Sequence, residues 1–144
     1  MGLDPKLSVA YLSRAAAYGQ KGETDNEIAD YTEAIRLDPK YANAYYNRGA
    51  AYEVRGETDN EIADYTDAIR IDPKFAEAYY SRGAAYGNKG EYDKAIADFT
   101  GAVRIDLKFA EAYYSRGLAY RLRGETRKAE ADFAEARKLG YSPK

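Results

Sequence analysis

The sequence of 144 residues contains neither cysteine nor histidine. Without cysteine the chain has no disulfide framework, no thiolate metal ligand and no cysteine nucleophile. Without histidine it also lacks the commonest metal ligand and the commonest general base. It has no glycine-rich phosphate loop and no nucleophile-elbow motif. We therefore expect no catalytic residues, no metal site and no cofactor.

An excess of one charge and a long apolar run are also missing. The 22 basic and 24 acidic residues give a formal net charge of −2, which argues against a surface that binds nucleic acid. No apolar run approaches the length that spans a bilayer, and the N-terminus lacks the apolar stretch of a signal peptide. These features predict a cytoplasmic protein that binds neither nucleic acid nor a membrane.

What the sequence does contain is a 34-residue repeat, clearest in residues 42–75, which read ANAYYNRGAAYEVRGETDNEIADYTDAIRIDPKF. Shifting the sequence by 34 places aligns similar segments before and after this one. A fixed period in this range indicates a stacked array of small units that share interfaces with their neighbours. The predicted repeats are residues 8–41, 42–75, 76–109 and 110–144, the last with a polar C-terminal cap.

Residues 1–7 read MGLDPKL, and the last five match the ends of later repeats. We interpret this segment as the remnant of a preceding repeat, with Met1 and Gly2 added by cloning. The chain would then be an excised or engineered array. The alternative is a native N-terminal turn whose likeness to the repeat ends is accidental.

Each repeat divides into two predicted helices. In residues 42–75, Gly56 ends the first helix, and Asp72 with Pro73 ends the second. Thr58 and Glu61 have capping-box spacing at the start of the second helix, and the first repeat carries the same pair. Four such repeats predict an all-α protein of about eight helices in antiparallel pairs.

The junction after the third repeat departs from this pattern. Leu107 replaces the proline, so nothing in the sequence forbids the helix from running on into the fourth repeat. Gly101 lies inside the same second helix and weakens it by about 1 kcal/mol relative to alanine. We expect irregular geometry at this junction.

The first helix of each repeat carries three stripes on a helical wheel. In the second repeat, Tyr45 and Gly49 belong to one stripe and Arg48 to the next. If these two stripes pack against neighbouring helices, the third must line an open surface. The third stripe consists of Asn43, Tyr46, Asn47, Ala50 and Glu53.

The residues that recur with the 34-residue period are aromatic, glycine, alanine and proline residues at fixed offsets. In the second repeat they are Tyr45, Gly49, Tyr52, Gly56, Tyr65, Ala68 and Pro73. This pattern resembles the tetratricopeptide repeat (TPR) and covers nearly the whole chain. The resemblance implies a right-handed α-solenoid, a superhelix whose concave face is lined mainly by the first helices. It also implies a non-catalytic function, the binding of other proteins as extended peptides or as a helix.

Two positions depart from the family pattern. The family's small residue in the second helix is present as Ala95 and Ala129, but the first two repeats carry Glu27 and Glu61. An unpaired buried charge is costly. We therefore expect these carboxylates to find hydrogen-bond donors or to point outward.

The predicted peptide-binding surface follows the open stripe of the first helices. Tyr46, Tyr80 and Tyr114, which we call the tyrosine ladder, are its most distinctive members, because tyrosine combines a large apolar contact with a hydroxyl group. The alternative is that these rings pack against adjacent repeats and stiffen the array. The full predicted surface comprises Leu12, Asn43, Tyr46, Asn47, Ala50, Glu53, Glu77, Tyr80, Ser81, Ala84, Glu111, Tyr114, Ser115 and Arg121.

Arginine and aspartate recur with the same period and in equal numbers, which favours structural ion pairs between the two helices of each repeat. The alternative is a row of arginines that binds an anionic ligand. The residues concerned are Arg14, Arg48, Arg82 and Arg116, with Asp30, Asp64, Asp98 and Asp132.

The two ends of the array differ. In the last repeat, Glu130 and Arg137 replace apolar residues of the earlier repeats, as expected of a terminal repeat. At the other end, the first helix leaves Ala10, Tyr11 and Ala17 uncovered. The alternative function is therefore self-association through the N-terminal face, in a structural array without a dedicated ligand.

Overall fold

The computed structural model describes residues 4–143, which form eight α-helices and no strand. The all-α prediction, with about eight helices, is confirmed. The helices lie in two compact units, divided between Pro73 and Lys74, with four helices in each. They are α1 (Pro5–Gln20), α2 (Thr24–Leu37), α3 (Ala42–Val54), α4 (Thr58–Ile71), α5 (Ala76–Asn88), α6 (Tyr92–Ile105), α7 (Ala110–Leu122) and α8 (Thr126–Lys138).

A tight glycine turn joins the two helices of each repeat. After α3, Gly56 has φ of 72°, a left-handed conformation that glycine adopts without a steric penalty. The amide of Gly56 donates to the carbonyl of Glu53, and the amide of Glu57 donates to the carbonyl of Tyr52. These are the two hydrogen bonds of a Schellman motif. Gly22, Gly90 and Gly124 have similar φ values, so the turn recurs in every repeat.

The predicted capping boxes are wrong. Glu57, not Thr58, occupies the N-cap position of α4, and no side chain there caps a backbone amide. The glycine turn brings the chain into helical geometry one residue early, so Thr58 is already the first helical residue. The Glu57 carboxylate instead accepts a hydrogen bond from Asn60 Nδ2 at 2.8 Å. The first repeat has the same arrangement at Glu23 and Asn26.

The predicted irregularity at Leu107 is also wrong. α6 ends at Ile105 and α7 begins at Ala110, so the helix does not run on into the fourth repeat. The backbone amide of Lys108 donates to Asp106 Oδ1 at 3.0 Å, as Lys40 does to Asp38 at 3.2 Å after α2. The aspartate therefore ends the second helix by an Asx turn, with or without a following proline.

Gly101 has a packing role that its helix propensity does not reveal. The α-helix continues through it from Tyr92 to Ile105. A Cβ atom at this position would lie 2.9 Å from Cδ1 of the Tyr79 ring, too close for a real contact. The glycine therefore admits the tyrosine of the facing helix α5.

In the second, third and fourth repeats the two helices approach each other closely at a glycine that recurs with the period, where the first repeat has Ala15. In the third repeat, a Cβ atom on Gly83 would lie 2.9 Å from Phe99 Cε1 and 3.1 Å from Asp98 Cβ. Phe99 is only 3% exposed, so its ring has little room to move. A Cβ atom on Gly49 would likewise lie 2.9 Å from Tyr65 Cε1, and one on Gly117 would lie 2.7 Å from Phe133 Cε1.

This contact predicts opposite effects for two glycine substitutions in α5. Gly83→Ala should lower the free energy of unfolding by about 1–3 kcal/mol, the usual cost of overpacking a core. Gly87→Ala should be neutral or raise it by up to about 1 kcal/mol, because alanine is the better helix former, and its nearest neighbour would be Ala95 Cβ at 4.0 Å. Urea denaturation of both variants checks this, and equal effects would contradict the close approach.

The predicted arginine–aspartate pairs are confirmed in all four repeats. Each arginine donates two hydrogen bonds to one aspartate, for example from Arg48 Nε and Nη2 to Asp64 at 2.8 and 2.7 Å. Arg48 Nη1 also donates to Thr32 Oγ1 of the preceding repeat at 3.1 Å. Arg116 makes the equivalent bond to Thr100. The arginines therefore hold the two helices of a repeat together and also link repeats within each unit.

The first helix begins earlier than the predicted repeat boundary at residue 8. Pro5 is the first residue of α1, a position that proline favours. The carboxylate of Asp4 accepts the amide hydrogen of Lys6 at 2.9 Å and caps the helix. Ser8 is consequently inside α1, where its hydroxyl donates to the carbonyl of Ala34. The four repeat boundaries themselves stay a prediction.

Candidate peptide-binding surface

The residues predicted to bind a peptide lie on the first helices, α1 and α3 in one unit and α5 and α7 in the other. None of the 14 is buried. Most are half-buried, and five are exposed: Asn43, Glu53, Glu77, Glu111 and Arg121. Each unit therefore presents an accessible stripe of aromatic, small and polar side chains.

Each ring of the tyrosine ladder packs on the central aromatic residue of its own repeat. The ring centroids of Tyr46 and Tyr65 are 5.5 Å apart, and those of Tyr80 and Phe99 are 5.7 Å apart. Tyr114 contacts Phe133 in the same way at 5.4 Å. Such tilted pairs are favourable arrangements for aromatic rings. This packing lies within single repeats, whereas the alternative to a binding role placed it between adjacent repeats. It holds each ring in place and leaves it partly exposed.

Two further aromatic residues belong to this surface and were missed in the sequence. The Tyr80 ring lies 5.0 Å from that of Phe109, and the Tyr114 ring lies 4.9 Å from that of Tyr141. Phe109 was detectable, because an aromatic residue ends each of the first three repeats. Tyr141 was hidden, because it precedes the corresponding position by two residues and occupies a different backbone setting after α8.

The last repeat adds a pocket of about 260 Å³ to this surface. Tyr114, Phe133 and Tyr141 provide aromatic walls, and Arg121 and Arg137 provide the charge. The guanidinium of Arg121 lies 5.5 Å from the centre of the Phe133 ring, a cation–π distance. Arg121 was predicted as a charge-selecting residue of the surface, whereas Arg137 had been assigned only to the terminal cap.

The unusual glutamates lie under the stripe in the other unit. Glu27 Oε1 occupies the space above Gly19, where a Cβ atom would approach it to 2.7 Å. Glu61 is buried, and burial, together with the nearby charge of Glu53, raises its pKa to about 7. The expectation that such a carboxylate finds a donor is not met by Glu61, although its oxygens keep some contact with solvent, because no side-chain oxygen in the described residues is both fully buried and without a hydrogen bond. Among the residues that the structure describes it makes no side-chain hydrogen bond or ion pair, yet it remains buried.

Two features that other functions require are missing from the described residues. Between residues 4 and 143, no three acidic side chains are grouped closely enough to hold a metal ion. Within the same residues, no helix has the length and apolar character needed to cross a membrane.

Comparison with known protein families shows which family the repeat belongs to. A family described as TPR repeat matches residues 15–54 and 55–90, and families described as tetratricopeptide repeat match residues 76–109 and 110–139. The chain belongs to the tetratricopeptide-repeat family. This assignment makes it a protein-interaction scaffold in the general sense, and the matched families are all repeat families.

Solved structures of TPR proteins agree with this assignment. MamA is 32% identical, with a TM-score of 0.90 over 94% of this chain and 80% of MamA. The TPR domain of Arabidopsis OM64 is 28% identical, with a TM-score of 0.77 over 81% of this chain and 96% of that domain. A TPR protein from Parabacteroides merdae, at 22% identity and a TM-score of 0.87, shares the fold over 94% of this chain and 54% of its own length. No curated protein sequence matches the chain significantly.

Proposed function

We propose that this TPR protein binds a segment of a partner protein, as an extended peptide or a helix, on the open stripes of its first helices. The observation that carries the proposal is the tyrosine ladder, with rings that are partly exposed and already held by aromatic packing. A ring that is fixed before binding loses little conformational entropy when a ligand covers it.

The neighbours of the ladder suit an extended chain. Asn47, Ser81 and Ser115 follow the three tyrosines directly and offer polar groups for the backbone of a peptide. Ala50 and Ala84 lie one helical turn further on and are small and partly exposed, so they leave room for ligand side chains. Large aromatic rings beside small and polar residues are typical of surfaces that recognise peptides.

The first test places larger side chains at Ala50 and Ala84 and leaves the packed tyrosine rings unchanged. A peptide selected on the wild-type chain from a random displayed library is the probe. The double variant Ala50→Gln/Ala84→Gln should bind it about tenfold more weakly, the loss of about 1.4 kcal/mol expected from a steric obstruction. Glutamine is a good helix former, so the fold should be retained. Fluorescence anisotropy measures the affinity.

Two matched substitutions control for the added side chains. Ala63 and Ala97 are exposed on the second helices α4 and α6. Ala63→Gln/Ala97→Gln should leave the affinity unchanged. If this control weakened binding as much as Ala50→Gln/Ala84→Gln, or if neither did, the peptide would not lie on the first-helix stripes.

A second candidate function is self-association through α1. Its outer face exposes Leu7 by 46%, and the Arg14 side chain is 59% exposed, compared with 17% for Arg48. Leu7, Ala10, Tyr11 and Arg14 line a shallow pocket of about 230 Å³ on this face. The outer face of α8 is poorly suited to pack against α1, because the charged residues Glu130 and Arg137 are exposed there. In addition, Ala134 replaces the threonine whose hydroxyl accepts a hydrogen bond from an arginine in earlier repeats. Association should therefore be two-fold, α1 against α1.

Light scattering of the eluting size-exclusion peak tests this second function. Association through α1 predicts a mass that rises with protein concentration toward that of a dimer, and Leu7→Glu should restore the monomer. A monomeric mass at every concentration would rule out self-association and leave peptide binding as the function.

A further inference from the structure

The carboxylate of Glu61 differs from the other buried charges of its unit. The residue is 5% exposed, but its side chain makes no hydrogen bond or ion pair within the part of the chain that the structure describes. By contrast, the buried Asp30 and Asp64 each accept two hydrogen bonds from an arginine. A buried anion without a partner is costly. Glu61 therefore carries a binding capacity that the folded chain does not use.

The fold does not require a carboxylate at this position. One and two periods later the same place is occupied by Ala95 and Ala129, both 0% exposed. An alanine side chain thus completes the packing between first and second helix in those repeats. The glutamate of the second repeat is an addition that packing alone does not explain.

The position that faces Glu61 is occupied by a second carboxylate. In the third repeat the corresponding pair is Gly87 and Ala95, where a Cβ on Gly87 would lie 4.0 Å from Ala95 Cβ. The same spacing of the period places Glu53 of α3 opposite Glu61 of α4. Glu53 is exposed on the predicted peptide-binding stripe. The pair therefore begins at the surface of the stripe and extends beneath it.

Neither the arginine of α3 nor the one that directly follows this helix neutralises the pair. Arg48 is bound to Asp64 and Thr32, and Arg55 is bound to Asp25 and Glu57. The negative charge of Glu53 contributes to raising the pKa of Glu61, after burial itself. No side-chain oxygen in the described residues is both fully buried and without a hydrogen bond, so the Glu61 carboxylate keeps contact with solvent. A ligand would approach Glu61 from this solvent-accessible side of the carboxylate.

We propose that Glu53 and Glu61 together bind one cationic side chain of the partner segment, arginine in preference to lysine. The inference rests on the proposed peptide-binding function and specifies its ligand. A planar guanidinium offers several N–H donors and can bridge two carboxylates, whereas an ammonium is a point charge. A divalent metal ion fits less well, since calcium takes six to eight oxygen ligands and two carboxylates supply at most four.

The experiment uses a small probe, so that its outcome does not depend on finding a peptide. The carboxyl carbon of Glu61 is followed by NMR through a pH titration, alone and with N-acetylarginine amide. The neutral isostere N-acetylcitrulline amide is the matched control. The expected result is a saturable shift of the Glu53 and Glu61 signals with the arginine probe, and a lower pKa of Glu61, because a bound cation favours the ionised carboxylate.

Two substitutions test whether both carboxylates are needed, and each introduces the residue that other repeats carry at the same position. Glu61→Ala introduces the residue of the third and fourth repeats, and Glu53→Gly that of the first and third, so both should fold. Each should abolish or weaken the response to the arginine probe, whereas Glu130→Ala on α8, outside the predicted peptide-binding surface, should not change it. Equal shifts with both probes, no shift with either, or a response that survives Glu61→Ala would overturn the proposal. So would calcium chloride alone producing the same shifts, since the site would then hold a metal ion.

A selected peptide separates this inference from the proposed function. Replacing its arginine by citrulline should weaken binding to the wild-type chain at least about tenfold, as for a desolvated charge pair, and should have little effect on Glu61→Ala. Equal affinity of both peptides for the wild-type chain would overturn the cation site while leaving peptide binding intact. Failure of every library peptide to bind would overturn the proposed function, and the small-probe experiment would still decide the cation site.

Discussion

Arg48→Ala should lower the free energy of unfolding by about 3 kcal/mol, because it leaves a buried aspartate without its partner. Asp64 is 3% exposed, and its carboxylate accepts two hydrogen bonds from Arg48. The substitution also removes the bond from Arg48 to Thr32 and the packing of the guanidinium over Tyr45 and Tyr52. For a chain of this size the melting temperature should fall by about 10 °C. Thermal and urea denaturation measure both quantities.

The effect of Arg48→Ala should depend on pH in a defined direction. Burial raises the pKa of Asp64 in the folded protein, and Arg48 opposes this rise. Without Arg48 the folded-state pKa of Asp64 rises further, so the folded variant binds a proton more readily than the unfolded chain does. The loss of stability should therefore be smaller at pH 5 than at pH 8.

Arg14→Ala is the matched control for this prediction. Arg14 makes the same two-bond contact with Asp30, but its side chain is 59% exposed, compared with 17% for Arg48. Water can therefore take the place of the lost guanidinium, and the destabilisation should be clearly smaller than for Arg48→Ala. Equal losses for the two variants, or no loss for Arg48→Ala, would contradict the structural role of the buried pair.

The triple substitution of Tyr46, Tyr80 and Tyr114 by alanine should weaken binding of a library-selected peptide at least about 100-fold. Aromatic anchors of an interface commonly contribute about 2 kcal/mol or more each, and the total loss is smaller than their sum. The truncation also removes ring contacts with Tyr65, Phe99 and Phe133, so the variant should be less stable. Binding must therefore be measured at a temperature where circular dichroism shows the variant to be folded.

Substitution of the same three residues by phenylalanine separates ligand contact from packing. The rings remain on their aromatic partners and only the hydroxyl groups are lost, so stability should be unchanged within about 1 kcal/mol and affinity should fall only a few-fold. A folded alanine variant that binds the peptide like the wild type would show that the ladder only stiffens the repeats.

The repeat length, the eight helices and the arginine–aspartate pairs were accessible from the sequence because each recurs four times with one period. Local backbone chemistry was harder to predict. The glycine turn starts α2 and α4 one residue earlier than a threonine cap would, and an aspartate, not the proline, ends the second helices. In both cases two neighbouring residues could mark the helix boundary: glutamate or threonine at the start, aspartate or proline at the end. Only the backbone hydrogen bonds show which residue does so.

The accessible stripe of the first helices was predictable in position, but its side-chain contacts were not. A helical wheel was sufficient to place the open stripe on the first helices, because burial of the other two stripes leaves one side exposed. It could not indicate that Tyr141 reaches the Tyr114 ring, since that contact depends on how the chain leaves α8. Nor could it show that Glu61 stays buried, because a wheel contains no information on the space between helices.

The most direct test of peptide binding on the first helices is an NMR map of the chain with a library-selected peptide. We expect the peptide-induced shifts to concentrate on α1, α3, α5 and α7, and to include the side-chain amides of Asn43 and Asn47. We expect little change at the exposed alanines of the second helices, Ala63, Ala97 and Ala131. Shifts concentrated on the second helices would contradict peptide binding on the first helices.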